Sequence, residues 1–277
     1  MPIFINNKRV QLIYKGETPI EEIHAQNATI WTPKADFATA SWAEIKKWIE
    51  KGTWKEQGWS EGDAHTIHMK DGHILTARIL AIYDGREEKT TYKGQIDRDE
   101  NNAKPHMVLE LTTCLPDSYS INPEPEVENT PQSWGTSNLY KLMSPGGEIY
   151  DNLPDELQSM IIPVMKKSGI SGKAQSSTPE TTKSYLFPLS IREYVSKDNI
   201  TSEINNSEGS QYQYYIANPG YVVKKEYDGD KNIVYYTRSA MQAENELYEY
   251  FWAIGGVNNY ATYPSYINLG TSFAFCI

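Results

Sequence analysis

The chain has 277 residues, 26 Lys+Arg against 36 Asp+Glu, and a formal net charge of -10. It lacks the cationic excess that neutralises phosphates, which argues against a general nucleic-acid-binding role. Hydrophobic content is 39% and mean hydropathy is -0.60. The longest apolar runs, such as 79–83 and 160–165, fall far short of the roughly 20 residues that span a bilayer, so a soluble globular chain without membrane insertion is expected.

Aromatic residues make up 12% of the chain, with 20 Tyr against 6 Phe and 7 Trp. Tyrosine offers a large apolar face and a hydroxyl at low entropic cost, which suits partner-binding surfaces. Half-buried strands favour the same residues, so composition leaves both readings open. Cys114 and Cys276 are too few for a disulfide scaffold and make no zinc pattern. Each lies in an apolar run, 109–115 and 273–277, and reads as a buried strand residue acting as a small hydrophobe. A single disulfide between them is left open. Residues 1–10 show no basic stretch ahead of a long apolar core, so no secretory signal is expected and synthesis is cytosolic.

In chain order, residues 3–5, 10–14, 21–24 and 29–31 alternate apolar and polar positions between the turn formers Asn6-Asn7, Gly16 and Asn27. They predict a small β unit over residues 1–36, closed by a linker at Thr32–Asp36 that contains Pro33. Ser41 followed by Glu44 makes a capping box, in which hydroxyl and carboxylate satisfy free amide donors. Trp42, Ile45, Trp48 and Ile49 then line one helical face, which assigns the tryptophans to core packing, and Gly52 ends the helix. Residues 66–69, a Lys70-Asp71-Gly72 turn and residues 74–83 predict a hairpin. His65, His68 and His73 cluster there. Strand positions three apart point to opposite faces, so no metal site is expected.

Residues 86–105 are polar and read as an exposed excursion before a strand at 107–115. Glu124, Glu126 and Glu128, in a Pro-rich loop, read as solvated carboxylates and not as a calcium site. A helix around 136–143 is broken by Pro145-Gly146-Gly147. A second begins at Pro154, with Asp155 and Glu156 in its first turn and Leu157, Met160, Ile161 and Val164 at helical spacing. Residues 168–183 read as a Gly/Ser/Thr loop. Strands are expected at 185–189, 211–216, 221–225 and 233–237, with a polar insert at 199–210.

Residues 239–277 contain no Lys, Arg or His, yet hold Tyr248, Tyr250, Trp252, Tyr260, Tyr263 and Tyr266 among Asn, Gly, Ser and Thr. Rigid amphipathic rings beside small adaptable polar groups make a paratope-like composition. No GxSxG, Walker or HExxH arrangement occurs, and acidic pairs are too common here to single out a glycosidase. No enzyme and no cofactor is therefore expected.

Tyr235-Tyr236-Thr237-Arg238-Ser239-Ala240, then Phe251-Trp252-Ala253-Ile254, then Gly270 and Phe273-Ala274-Phe275-Cys276-Ile277 resemble the "WWLRSP … FxxV … GVxPAFCI" ending of a C-type-lectin-like domain family of bacteria and phages. Gly62-Asp63, residues 111–115, Trp134 with Ser137, residues 150–157 and 186–190, and Gln211-Tyr212-Gln213-Tyr214-Tyr215 agree in order, so the resemblance spans residues 41–277. The first 35 residues are similar to the β leader of phage tail proteins, through residues 10–16 and 29–31. Together the two resemblances imply an α+β, C-type-lectin-like domain over residues 37–277 behind an attachment or oligomerisation unit over residues 1–36. The implied role is a phage tail-tip adhesin on the virion, or alternatively a bacterial surface adhesin. It would bind a host-surface protein or glycan, contact other tail proteins, and form a homo-oligomer, by analogy a trimer.

The ligand face expected from this likeness comprises Met241, Gln242, Glu244, Glu246, Tyr248, Tyr250, Trp252, Asn258, Tyr260, Thr262, Tyr263, Tyr266 and Asn268, with Arg238 holding the scaffold through nearby acids. Some relatives are variable proteins of diversity-generating retroelements, in which Asn codons are randomised. Tyr260, Thr262, Tyr263, Pro264, Tyr266, Ile267 and Leu269 are types such codons yield, whereas Met241, Gln242, Glu244 and Glu246 are not. The family's calcium-dependent members carry a Glu-Pro-Asn or Gln-Pro-Asp loop; the Glu-Pro-Glu at 124–126 lies before the middle helices, so calcium-free binding is expected. Formylglycine-generating enzymes share the fold but need closely placed redox cysteines, unlike Cys114 and Cys276. A structural virion protein that uses the tyrosine face as a subunit interface is the alternative.

Overall fold

The computed structural model of the chain describes residues 34–83, 105–122, 132–171, 178–196, 207–240 and 269–277, together with the backbone of short strands between residues 4 and 31 and at 251–254 and 259–262. Near the N-terminus, three antiparallel two-stranded pairs come one after another: β1 (Phe4–Ile5) with β2 (Lys8–Arg9), β3 (Tyr14–Lys15) with β4 (Thr18–Pro19), and β5 (Ile23–Ala25) with β6 (Ala28–Trp31). Two residues separate the partners in each pair, and the expected turn formers Asn6-Asn7, Gly16 and Asn27 are among them, as tight hairpins require. Of the expected linker, residues 34–36 are fastened to residues 57–59. Ala35 N donates to Gln57 Oε1 at 2.7 Å, and Trp59 Nε1 donates to Ala35 O at 2.9 Å.

Helix α1 (Trp42–Glu50) begins and ends where the capping box and Gly52 indicate, and Gly52 takes φ +67°. Glu44 N donates to Ser41 Oγ at 3.2 Å, while Ser41 N donates to Glu44 Oε2 at 2.9 Å. Trp42, Ile45, Trp48 and Ile49 are its buried stripe. Losing the cap by Ser41→Ala should cost about 1 kcal/mol, read as a melting temperature lower by roughly 2–4 °C. A short helix α2 (Trp54–Gln57) comes next.

The central sheet is antiparallel, in the order β12 (Leu186–Phe187), β18 (Ala274–Cys276), β9 (His106–Leu111), β8 (Ile74–Tyr83) and β7 (Ala64–His68). The C-terminal strand thus lies inside the sheet, which explains why Phe273, Ala274, Phe275, Cys276 and Ile277 are all buried. Strand β9 is buried along its whole length and α1 packs near it, with Trp42 set edge-on to Phe275 at 6.0 Å. The hairpin β7–β8 turns through Gly72 at φ +93°. Cys276 lies in β18, whereas Cys114 falls just past β9; both are buried free thiols, so no disulfide joins them.

Between these strands lie α3 (Asn138–Leu142), α4 (Glu148–Asp151) and α5 (Asp155–Met160). The helix expected to run to Val164 stops at Met160, because Pro163 has no N–H and disfavours helical geometry at Ile162. Residues 164–168 and 180–184 instead pair as β10 (Val164–Ser168) and β11 (Glu180–Ser184), which corrects the loop expected at 168–183. Their buried positions are largely Lys166, Ser168, Thr182 and Ser184, so hydrophobic alternation could not reveal them. Helix α6 (Ile191–Tyr194) also carries a capping box, Ser190 with Glu193.

The strand expected at 211–216 is not formed: its residues from 213 onward belong to helix α7 (Gln213–Ala217), and residues 219–222 form a 3₁₀ turn. Aromatic side chains favour strands only where a pleated surface receives them. Here Tyr214 and Tyr215 are instead drawn around the Arg78 guanidinium, 4.7 and 5.5 Å from it. Strands β13 (Lys224–Lys225) and β14 (Asn232–Ile233) pair with each other. Then β15 (Tyr235–Ala240), β16 (Phe251–Ile254) and β17 (Asn259–Thr262) make a separate three-stranded antiparallel sheet.

Candidate functional site

Three of the thirteen expected recognition residues, Trp252, Tyr260 and Thr262, lie in described strands of this last sheet. Trp252 lies in β16 opposite Ala261, and Tyr260 and Thr262 lie in β17 opposite Ala253 and Phe251. Trp252 and Tyr260 therefore occupy register positions of opposite parity, while Tyr260 and Thr262 share one. Met241, Gln242, Glu244, Glu246, Tyr248, Tyr250, Asn258, Tyr263, Tyr266 and Asn268 lie outside the described residues, as do residues 86–104 and the Glu124, Glu126 and Glu128 loop.

Strand β15 is buried at every position. Arg238, 0% exposed, donates from Nη1 to Glu193 Oε2 at 2.5 Å and Pro188 O at 3.0 Å, from Nη2 to Glu208 O at 2.7 Å, and from Nε to Lys167 O at 3.2 Å. It is a scaffold residue paired with an acid, as expected. Lys166 Nζ holds the other oxygen of Glu193 at 2.9 Å, and Ser190 N donates to Glu193 Oε2 at 3.0 Å. Burial drives a carboxyl upward, but the two cations and the hydrogen bonds outweigh it and hold Glu193 below the ordinary carboxylate range.

The other flank of β15 rests on a second cluster of the same design. Glu110, 1% exposed, stands between Lys224 Nζ at 2.9 Å and Arg78 Nη2 at 3.2 Å, and accepts the hydroxyls of Tyr194 and Tyr215. Burial opposes its charge; Lys224 and Arg78 overcome that and lower its pKa. Tyr235 of β15 donates its hydroxyl to Val222 O at 2.6 Å and faces Tyr194 edge-on at 5.8 Å. A parallel bridge joins Tyr235 to Gly270, where any Cβ would meet Cys114 Sγ at 2.5 Å, so the backbone can come this close only at glycine.

Sequence reasoning found Arg238 but not Glu193, Lys166, Glu110, Lys224 or Arg78. The Ser190–Glu193 capping box was a readable signal for one of them; the others carry none, because an isolated charged residue in a strand reads as surface. Each cluster is a buried carboxylate held between two cations, an arrangement that anchors the strand packed on it.

The three histidines go to separate places. His65 sits between Phe37 and Trp42, its ring nitrogens 2.7 Å from Ala40 O and Thr66 O. His68 is exposed. His73 lies 3.0 Å from Asp71 in a shallow cleft that also includes Tyr119, Ile149 and Asn152. Asp71 and Asn152 bond each other there, at 2.6 and 3.0 Å, which ties the hairpin turn to α4. Among the described residues no group of three or more His, Cys, Asp or Glu is placed to hold a metal ion, and no helix is long and apolar enough to cross a membrane. Compared with known proteins, the chain matches no protein family, no curated protein and no solved structure.

Proposed function

We propose that the protein is a non-enzymatic adhesin with a C-type-lectin-like domain, carried at a phage tail tip, that binds a host-surface protein or glycan through its C-terminal aromatic segment. The observation that carries this reading is a contrast within one segment. Residues 239–277 have no basic residue and many tyrosines, and the sheet bearing Trp252, Tyr260 and Thr262 is hung on a strand fixed by two buried ion clusters. Recognition elements are commonly variable segments positioned by a rigid scaffold, and Tyr-rich, charge-poor surfaces supply contact area at low entropic cost.

The test is Tyr260→Ala, Tyr263→Ala and Tyr266→Ala together, assayed for attachment of the purified protein to candidate host cells with and without EDTA. Attachment should be abolished, the melting temperature should move by no more than a few degrees, and wild-type attachment should survive EDTA. A large loss of stability would place the tyrosines in a core. If light scattering showed a stable oligomer in which these positions are inaccessible, the face would be a subunit interface instead.

A further inference from the structure

Glu193 and Glu208 are neighbouring buried carboxyls, both 0% exposed, with opposite surroundings. Glu193 receives both nearby cations, Arg238 and Lys166. Glu208 receives neither: its Oε1 accepts Gly169 N at 2.5 Å and its Oε2 accepts the Ser239 hydroxyl. Arg238 reaches Glu208 only at its main-chain carbonyl. Among the described residues, the charged groups that face it are Arg238 from β15 and Glu193 from α6, and Lys166 of β10 is bound to Glu193. A carboxylate enclosed without an ion pair of its own is costly, and its ordinary escape is protonation.

Its position gives that protonation a consequence. Ser239 is the next-to-last residue of β15, and its Oγ also accepts Ile191 N at 3.0 Å. The following residue, Ala240, pairs with Phe251 of β16. Glu208 thus joins residues 207–212, the end of β10 and α6 to the end of β15 where the next strand is attached.

We propose that Glu208 is a pH-sensitive joint: neutral, it locks the end of β15 against residues 207–212 and Gly169, and on ionisation the joint opens more readily, loosening the base of the β15–β17 sheet. Under the adhesin reading, on which the functional consequence rests, this makes presentation of the aromatic segment depend on pH. Burial, partly offset by the Ser239 and Gly169 hydrogen bonds and by Arg238, pushes the carboxyl up to about 7, so the change falls near neutrality. The sign is set by linkage. The closed joint binds its proton more tightly than the opened, hydrated one, so closure is favoured at low pH and loses ground as pH rises from the ordinary value of 4.5 to about 7. Between pH 5.5 and 8 the opening equilibrium should rise about 30-fold.

The experiment is hydrogen–deuterium exchange of the free protein at pH 5.5 and 8, corrected for intrinsic exchange and read by mass spectrometry on peptides covering 207–212 and 235–240. Wild type should lose about 30-fold of protection there at the higher pH, while peptides of β8 and β9 should not. In Glu208→Gln, which keeps an acceptor for Gly169 N without the charge, the difference should vanish. Protection independent of pH in wild type, or an equal change in Glu208→Gln, would overturn the joint. If that variant failed to fold, carbon NMR titration of the Glu208 carboxyl in wild type decides, and a midpoint below 5.5 refutes it. Because no receptor enters these measurements, the joint stands or falls separately from the adhesin reading; host-cell attachment at the two pH values then tests the link.

Discussion

Replacing Arg238 by alanine should cost about 3–5 kcal/mol, the loss expected when one member of a buried ion pair is removed, and lower the melting temperature by roughly 6–20 °C. The substitution leaves Glu193 buried with Lys166 as its remaining cation and removes the donor from three main-chain carbonyls, of Lys167, Pro188 and Glu208. Arg238→Lys should recover little of this loss. One ammonium on a flexible stem cannot serve four acceptors arranged around a planar fork. Thermal unfolding followed by circular dichroism measures both variants. A melting temperature within a degree or two of wild type for Arg238→Ala would show that the guanidinium does not hold β15 in place.

Of this anchoring, Arg238 alone was read from the sequence, and the reason is particular. Arg238 stands as a lone base ahead of a base-free segment, so its need for an acid could be read directly. Helix α1 was equally open, since Ser41, Glu44 and the Trp42, Ile45, Trp48, Ile49 stripe all point to one element. Where a buried face is polar, the same method is blind. Strands β10 and β11 turn Lys166, Ser168, Thr182 and Ser184 inward, and their apolar periodicity is nearly absent. Helix α7 was hidden for the opposite reason: its run of tyrosines satisfies strand propensity, and what decides its form lies over a hundred residues away, at Arg78 and Glu110. Strand order was also out of reach, because nothing local tells that β18 enters between β9 and β12.

Glu110→Gln is the second substitution with a large expected effect, again about 3–5 kcal/mol. The isosteric amide leaves Arg78 and Lys224 as two buried cations facing no anion, and offers one acceptor oxygen where two tyrosine hydroxyls and two cations now converge. The loss should be pH-dependent in a way that identifies its origin. Burial opposes the Glu110 charge, but Lys224 and Arg78 hold its folded-state pKa below 4.5. Its stabilisation is therefore fully present above about pH 4.5 and is lost as pH falls through the folded value. Wild type should accordingly lose stability below pH 4.5, with Glu193 adding to the slope by the same sign, whereas Glu110→Gln starts lower and falls less steeply. Removing a cation together with the anion should relieve the variant: Glu110→Gln with Lys224→Met leaves Arg78 alone to be satisfied by Tyr215 and the Tyr221 carbonyl, at 2.9 and 3.1 Å. Melting temperatures of the two singles and the double at pH 7 and pH 4 close the cycle. Strictly additive losses would mean that Glu110 and Lys224 are not coupled, and that the flank of β15 is held by tyrosine packing alone.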